Sequence, residues 1–324
     1  MPTFSFIIPV KPGGHVKALE ALRQITSQDH PHEILIAEGS QPSRQRNLAA
    51  QQARGDVLYF LDDDSMVAAD CLAQCAVALE DPSVAVAGGP SLTPPGDSPL
   101  QQLFGCVLSS LFGAGGVRNR YRSAGIARET TERELILCNL AIRRDVFLAA
   151  GGLDERLYPN EENELLDRIH AAGNKLVHIP RMSVMRSQRA TITAFCRQMF
   201  SYGRGRGQQT LVAGPGSPVS FMPLAFVAYL VLFPLLPAGL FRELPAFAYV
   251  TLDALFTLAV MAGSGGFSAI FLLALFPLMH CANGIGLLYG LLGGKPRKQS
   301  SNEVTIRRAK EFEQTTTLLQ TTLS

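Results

Sequence analysis

The sequence predicts an α/β domain on a largely parallel sheet, followed by helices that enter a membrane. Three observations predict it. Short strand-like runs recur as far as residue 180, with helical patterns between the early ones. Three consecutive acids close one of those runs, and the stretch from Leu211 to Gly294 holds only three formally charged residues, Arg242, Glu243 and Asp253.

The strand-like runs are FSFIIPV (4–10), HEILIAE (32–38), DVLYFL (56–61), VAVAGG (84–89), LILCNLAI (135–142) and KLVHIP (175–180). Each is short and apolar, with the composition of a buried strand. Helical patterns fall at about 14–28, 43–53 and 68–80. Such alternation implies crossovers and parallel neighbours, and ligands then sit outside the carboxyl ends of the strands. Asp62, Asp63 and Asp64 occupy one such end and Glu38 another. Adjacent carboxylates repel one another unless a cation or a set of donors sits among them. The plainer reading is a loop in which Asp64 or Ser65 caps a helix beginning near Met66.

The chain reads VKPGGHVK after its first strand, without the G-x-G-x-x-G spacing, and no G-x-x-x-x-G-K-[ST] loop occurs. With no glycine cradle, diphosphate charge would have to be neutralised by a metal on carboxylates. Mg2+ or Mn2+ suit such hard oxygen ligands. A second acidic cluster, YPNEENELLDRIHAAG (158–173), reads as a helix capped by Asn160, with Leu165, Leu166 and Ile169 as its apolar stripe and Gly173 as its end. Glu161 and Glu162 in its first turn either complement the helix dipole or, presented by the glycine-bearing turn GGLDERLYPN, face a cleft where a carboxylate acts as general base.

Net charge is +2, which gives no bulk attraction to nucleic acid. Apolar stretches at about 219–241, 246–263 and 267–293 match the ~20 residues of a spanning helix. The start MPTFSFIIPV lacks the basic region and length of a signal peptide, so the polar part is expected in the cytosol. The basic stretch KPRKQSSNEVTIRRAK also favours a cytosolic end, whereas three full crossings would place it outside. Pro223, Pro234 and Pro237 make the first segment the expected site of a broken or re-entrant helix. Cysteines 71, 75, 106, 138, 196 and 281 show no metal spacing and fit reduced thiols. The expected organisation is a nucleotide-binding domain over 1–210, a membrane region of two or three helices over 211–294 and a basic polar tail over 295–324.

These clusters, in this order, resemble the inverting family-2 glycosyltransferases with the GT-A nucleotide-sugar fold. The resemblance covers about residues 4–207, through FSFIIPVKPG, EGS, FLDDDS, RRDVFLAAGGLDE and NEENEL, the last in the place of the family's E-D-x-[DE]-L. FGAGGVRNRYR (112–122) and RQMFSYGRGRG (197–207) are similar to the membrane-associated exopolysaccharide branch, such as succinoglycan-type transferases. The resemblance implies a nucleotide-diphosphate sugar donor, a lipid-linked or saccharide acceptor and a divalent metal, at the inner membrane. By position it implies Glu38 at the base or ribose and Asp62 and Asp64 on the D-x-D positions, with Asp64 the direct metal ligand and Asp63 between them. It implies Glu162 as the base, with Glu161 its competitor.

The chain departs from the pattern in two places. The segment between EGS and RQRNLAA is short, which brings Arg44, Arg46 and Asn47 near Glu38, where they contact diphosphate or nucleotide or simply start a solvated helix. The chain has no Trp, so the Q-x-x-R-W motif of processive synthases is absent. Arg204 and Arg206 are the expected substitutes, touching diphosphate or lipid phosphate, or anchoring to headgroups. A sugar-phosphate nucleotidyltransferase and a non-catalytic nucleotide-sugar-binding membrane scaffold are the alternative readings.

Overall fold

The computed structural model describes residues 1–25, 30–264, 267–294 and 303–312. In chain order come β1 (Phe4–Val10), α1 (Ala18–Leu22), β2 (His32–Glu38), α2 (Pro42–Gln52), β3 (Val57–Leu61), β4 (Met66–Val67), α3 (Cys71–Ala78), β5 (Val84–Gly88), β6 (Ser91–Leu92), α4 (Pro99–Ser109) and α5 (Leu111–Ala114). Then follow β7 (Arg128–Thr130), β8 (Asn139–Arg143), α6 (Arg144–Ala149), α7 (Glu161–Ala171), β9 (Lys175–His178), β10 (Val184–Met185), α8 (Ile192–Ala213), α9 (Met222–Leu232), α10 (Leu240–Ser264), α11 (Leu272–Leu291) and β11 (Thr305–Lys310).

The main sheet has the order β11-β2-β1-β3-β8-β5-β9-β7. β1 lies parallel to both β2 and β3, and β5 parallel to β9, while β8 runs antiparallel between β3 and β5. All residues of β1, β3 and β5 are buried, as expected of strands covered on both faces. Phe4, Phe6, Ile8, Tyr59 and Leu61 face a core closed by α1 and α3. Ile7, Leu35, Leu58 and Phe60 face one closed by α2, α6 and α7. Because β8 is antiparallel, Asn139 at its start stands opposite Leu61 at the end of β3, next to the aspartates.

Several elements differ from expectation. The helix expected to begin near Met66 begins at Cys71, as α3, because Met66 and Val67 pair with β10 in a small second sheet, β4-β10-β6. The strand expected from residue 135 starts at Asn139, whose N–H closes a turn onto the Ile136 carbonyl. The helix expected over 14–28 is α1 alone within the described residues. Of the tail, 295–302 and 313–324 lie outside the described residues. Thr305–Lys310 is an edge strand on β2, held by Arg308, whose guanidinium lies 3.1 Å from the buried carboxylate of Glu33.

Three described segments are long and apolar enough to cross a membrane: Pro218–Leu235, Leu240–Gly263 and Ser268–Leu291. α11 lies along α8 through opposed glycines. A Cβ on Gly203 would overlap the Asn283 carbonyl, and one on Gly207 would press on the backbone of Leu287 and Leu291. Conversely, a Cβ on Gly286 or Gly290 would strike the carbonyls of Phe200 or Arg204. Partners advance by four on both helices, so the two run parallel, backbone to backbone, through the small-residue spacing that permits such approach. Gly290→Leu should therefore lower the thermal midpoint of the detergent-solubilised protein markedly. Gly263→Ala, where an added Cβ meets nothing within 4 Å, should leave it unchanged or slightly raised. Equal midpoints for the two variants would contradict this packing.

Candidate active site

The carboxyl end of β3 delivers Asp62–Asp64, and two arginines meet them there. Arg46, one turn into α2, places Nη2 2.6 Å from Asp62 Oδ1. Arg186, just after β10, reaches Asp62 Oδ2 at 3.0 Å and Asp64 Oδ1 at 2.6 Å. Burial pushes the Asp62 carboxyl up, but Arg186 and Arg46 outweigh it and hold it below the usual carboxylate range. Asp63 is pushed up, by burial first and then by the carboxylates on either side. The repulsion expected of three adjacent acids is thus relieved at two of them by guanidinium groups.

Arg46 also faces the second acidic cluster. Its Nη1 lies 3.7 Å from Glu161 Oε1, so one guanidinium with a side chain 4% exposed bridges β3 and α7. The three glutamates at the start of α7, Glu161, Glu162 and Glu164, are buried rather than solvated, and each faces a cation. Glu162 pairs with Arg120 at 3.5 Å, and Arg120 also donates to Asn163. Glu164 pairs with Arg168, which in turn donates to the Gly152 carbonyl. Glu161 is the odd one: its Oε2 is buried without a hydrogen-bond partner. Burial, with the Glu162 charge added, pushes its carboxyl from an ordinary 4.5 up to about 8 against the pull of Arg46. Asn160 does precede α7, but at φ 88° and with no side-chain cap; its amide donates to Gln209 on α8 instead.

The other expected site residues have local partners. Glu38 accepts from the Gly13 N–H at 3.0 Å and so fastens the loop after β1. Arg44 pairs with Glu155 at 3.4 Å, both being more than a third exposed. The Asn47 amide donates to the Leu153 carbonyl and accepts from the Leu153 N–H, holding the turn in which Gly151 and Gly152 both take positive φ. Arg204 donates to the Tyr158 carbonyl at 2.8 Å. Arg206 is half-buried and feels Arg120, Glu132, Asp167 and Glu162; burial pushes its pKa down. Asp62, Asp64, Arg46 and Glu161 therefore form one connected group, with Glu162 beside it, while Glu38, Arg44 and Asn47 border the group from the β1, β2 and α2 side.

Arg186 and Arg120 escape sequence reading. Arg186 follows a two-residue strand too short to show a period, and Arg120 lies in a 3-10 turn within FGAGGVRNRYR. A recess of about 570 Å3 lined by Arg54, Asp56, Arg143 and Arg144 lies at the opposite ends of β3 and β8 and contains none of the acids described above.

The donor set decides how a divalent ion fits. No three His, Cys, Asp or Glu side chains converge among the described residues. Both Asp62 oxygens face arginines, so Asp64, 44% exposed and paired through Oδ1, presents its second oxygen outward. One carboxylate completed by phosphate oxygens and water is an ordinary Mg2+ or Mn2+ arrangement.

Two outcomes test the network. Arg46→Met removes one of the two cations on Asp62 and the one facing the buried Glu161, and should cost about 1–3 kcal/mol of stability by thermal or denaturant unfolding. Arg44→Ala, at an exposed pair, should stay within about 0.5 kcal/mol. Glu161 sets a pH dependence. Between its ordinary value and about 8 the folded chain keeps a proton that the unfolded chain has lost, so stability falls as pH rises through that window. The melting temperature of the wild type should accordingly drop relative to Glu161→Gln from about pH 5 to about pH 8. Parallel curves would show that this carboxyl is not held neutral.

Residues 57–288 match the family described as Glycosyl transferase family group 2. The succinoglycan biosynthesis protein ExoA of Rhizobium meliloti (strain 1021) is 32% identical over 143 residues, which cover 42% of this chain and 42% of that protein. Less than half of that relative is therefore spanned. Among solved structures, the mannosyltransferase PcManGT from Pyrobaculum calidifontis, in complex with GDP-Man and Mn2+, superposes with a TM-score of 0.52 at 17% identity, over 90% of this chain and 88% of that one. That is a likeness of fold. The family match displaces the nucleotidyltransferase reading: with a fold of the GT-A kind, the chain belongs to glycosyl transferase family group 2.

Proposed function

We propose that this glycosyltransferase moves a sugar from a nucleotide-diphosphate donor to a hydroxyl of a lipid-linked acceptor, with inversion, in the assembly of a cell-surface polysaccharide. The observation that carries the reading is the Arg46 bridge, which sets the strand-end aspartates and the α7 acids on one cleft. The partial match to a succinoglycan biosynthesis protein supports the pathway class, and the apolar helices support an acceptor held at a membrane. Residues 1–210 form the catalytic unit in this reading and 211–294 the membrane region, with the catalytic unit at the cytosolic face of the inner membrane.

Asp64 would hold the divalent ion, which when bound supplies positive charge to the leaving diphosphate. Arg46 and Arg186 keep Asp62 ionised and its carboxylate in place, so the strand end is preorganised before the donor arrives. Glu38 shapes the loop against which the nucleoside lies. Arg204 and Arg206 add positive charge from α8 for the donor or for a lipid phosphate. Glu162 is the base: its side chain is 11% exposed at the cleft, whereas Glu161 is 3% exposed and sealed behind it. Arg120 holds the Glu162 carboxylate ready to take the acceptor's proton as that oxygen attacks the anomeric carbon. The glycosidic bond to diphosphate breaks on the opposite face, so a single displacement inverts the centre. Much of the rate comes from holding donor and acceptor in line.

The test is release of nucleotide diphosphate from a panel of nucleotide sugars, with donor affinity measured by calorimetry. Glu162→Gln should lower turnover by about 10²–10⁴-fold with donor affinity nearly unchanged. Glu161→Gln, which imitates the protonated acid already present, should be far milder. Normal turnover in Glu162→Gln with a dead Glu161→Gln would move the base by one residue. Two active variants would remove α7 from the chemistry.

A further inference from the structure

We propose that the chain crosses the bilayer twice, through the hairpin of α9 and α10, and that the third apolar helix, α11, stays on the catalytic side along α8. The inference rests on the membrane reading above and adds to it the path of the chain.

Two anchors set the sides. β11 is antiparallel to β2, with Thr305 opposite Glu38 and Lys310 opposite Ile34, so the chain after the apolar region rejoins the catalytic sheet. α8, before that region, is docked on the α7 end of the same domain. Arg204 donates to the Tyr158 carbonyl, Gln209 donates to Asp167 at 3.4 Å, and Gly205 packs directly on the Pro159 backbone. The chain leaves one domain and returns to it, so the crossings between Ala213 and Thr305 are even in number. Three crossing helices would make the number odd.

α11 is the helix that does not cross. It runs parallel to α8 through the opposed glycines, and hydrogen bonds mark both ends of the contact: Asn283 donates to the Met199 carbonyl at 3.3 Å and Gln208 to the Gly294 carbonyl at 2.7 Å. α8 carries Arg197, Arg204 and Arg206, which cannot enter hydrocarbon without losing their hydration. A helix locked along its length to α8 shares its depth, whereas α9 meets α11 through its own start, where Gly284 lies against Pro223 and Val227. The segment containing α11 is 39% buried within the protein, against 0% for Pro218–Leu235 and 11% for Leu240–Gly263, so it has the smallest free surface to offer lipid. Its first half shares one core with α4 and α8, which also keeps the bent α4–α5 pair out of the bilayer as a further span.

α9 and α10 have the geometry of a crossing hairpin. They are antiparallel: Phe226 stacks on Tyr249 at 4.3 Å, and the Tyr229 hydroxyl donates to the Arg242 carbonyl at 2.6 Å. At 18 residues, Pro218–Leu235 reaches about 27 Å as a helix, close to the ~30 Å hydrocarbon thickness. The three charges fall where this path can accept them. Arg242 and Glu243 pair at 2.7 Å beside the turn, at the far headgroups. Asp253, midway along α10, is 4% exposed and accepts from Thr257, turned away from lipid.

The experiment uses the full chain in native membranes, with added single cysteines labelled by a membrane-impermeant maleimide from either face and the unsubstituted chain as background. Thr193→Cys reports the catalytic side, Ala238→Cys the hairpin turn and Leu292→Cys the end of α11. We expect Leu292→Cys to label from the same face as Thr193→Cys, and Ala238→Cys from the opposite face only. Labelling of Leu292→Cys from the face opposite Thr193→Cys would overturn the proposal. So would labelling of Ala238→Cys from the Thr193 face, or from neither face. A carbonate wash of the same membranes separates the two levels. Release of the chain would overturn the membrane reading itself, whereas retention with the wrong labelling pattern would overturn only the path proposed here.

Discussion

The structure depends on one guanidinium. Arg46 sits in the first half of α2, nearly sealed from water, and touches Asp62 at the end of β3 and Glu161 at the start of α7. A charge in that position is tolerable because Asp62 pairs with it on one side and a Glu161 oxygen faces it on the other. The same contact brings together the two acidic motifs, about a hundred residues apart in sequence. Arg186 repeats the device on the outer side of Asp62, and Arg120 and Arg168 repeat it along α7. The acids and arginines there form a set of opposed charges that hold one another in place.

The second constraint is the close approach of α8 and α11. The alternating glycines of GRGRG point to two sides: Gly203 and Gly207 admit α11, while Gly205 admits the Pro159 backbone next to α7. One helix therefore connects the acid-bearing turn to the apolar helices without a flexible joint. Of the arginines between those glycines, Arg204 also fastens the residue that precedes Pro159. The acid-bearing turn and the packing of the apolar helix α11 thus depend on the same few residues of α8.

Much of the fold was legible because strand composition is a local signal. FSFIIPV, HEILIAE and DVLYFL are strands within a residue of the expected bounds, and NEENEL does open a helix. The misreadings have a common cause. Met66 and Val67 look like the start of a helix until β10 pairs with them, and TIRRAK (305–310) looks like a charged tail until it finds the open edge of β2. Pairing with a distant segment overrode local preference in both cases.

The sequence by itself determined which residue types stand at the strand ends, that a membrane-sized apolar region follows, and the family to which the ordered motifs point. These are matters of composition and order along the chain. Only the tertiary structure decided which cation meets which acid. It made Arg186 a partner of the aspartates, gave the Asn47 amide to the Leu153 backbone, buried Glu161 so that its carboxyl is pushed up, and returned residues 305–310 to the sheet. The physical reason is that burial and ion pairing depend on distance through space. A carboxylate's charge state is set by what packs against it, and that is decided only when the chain has folded.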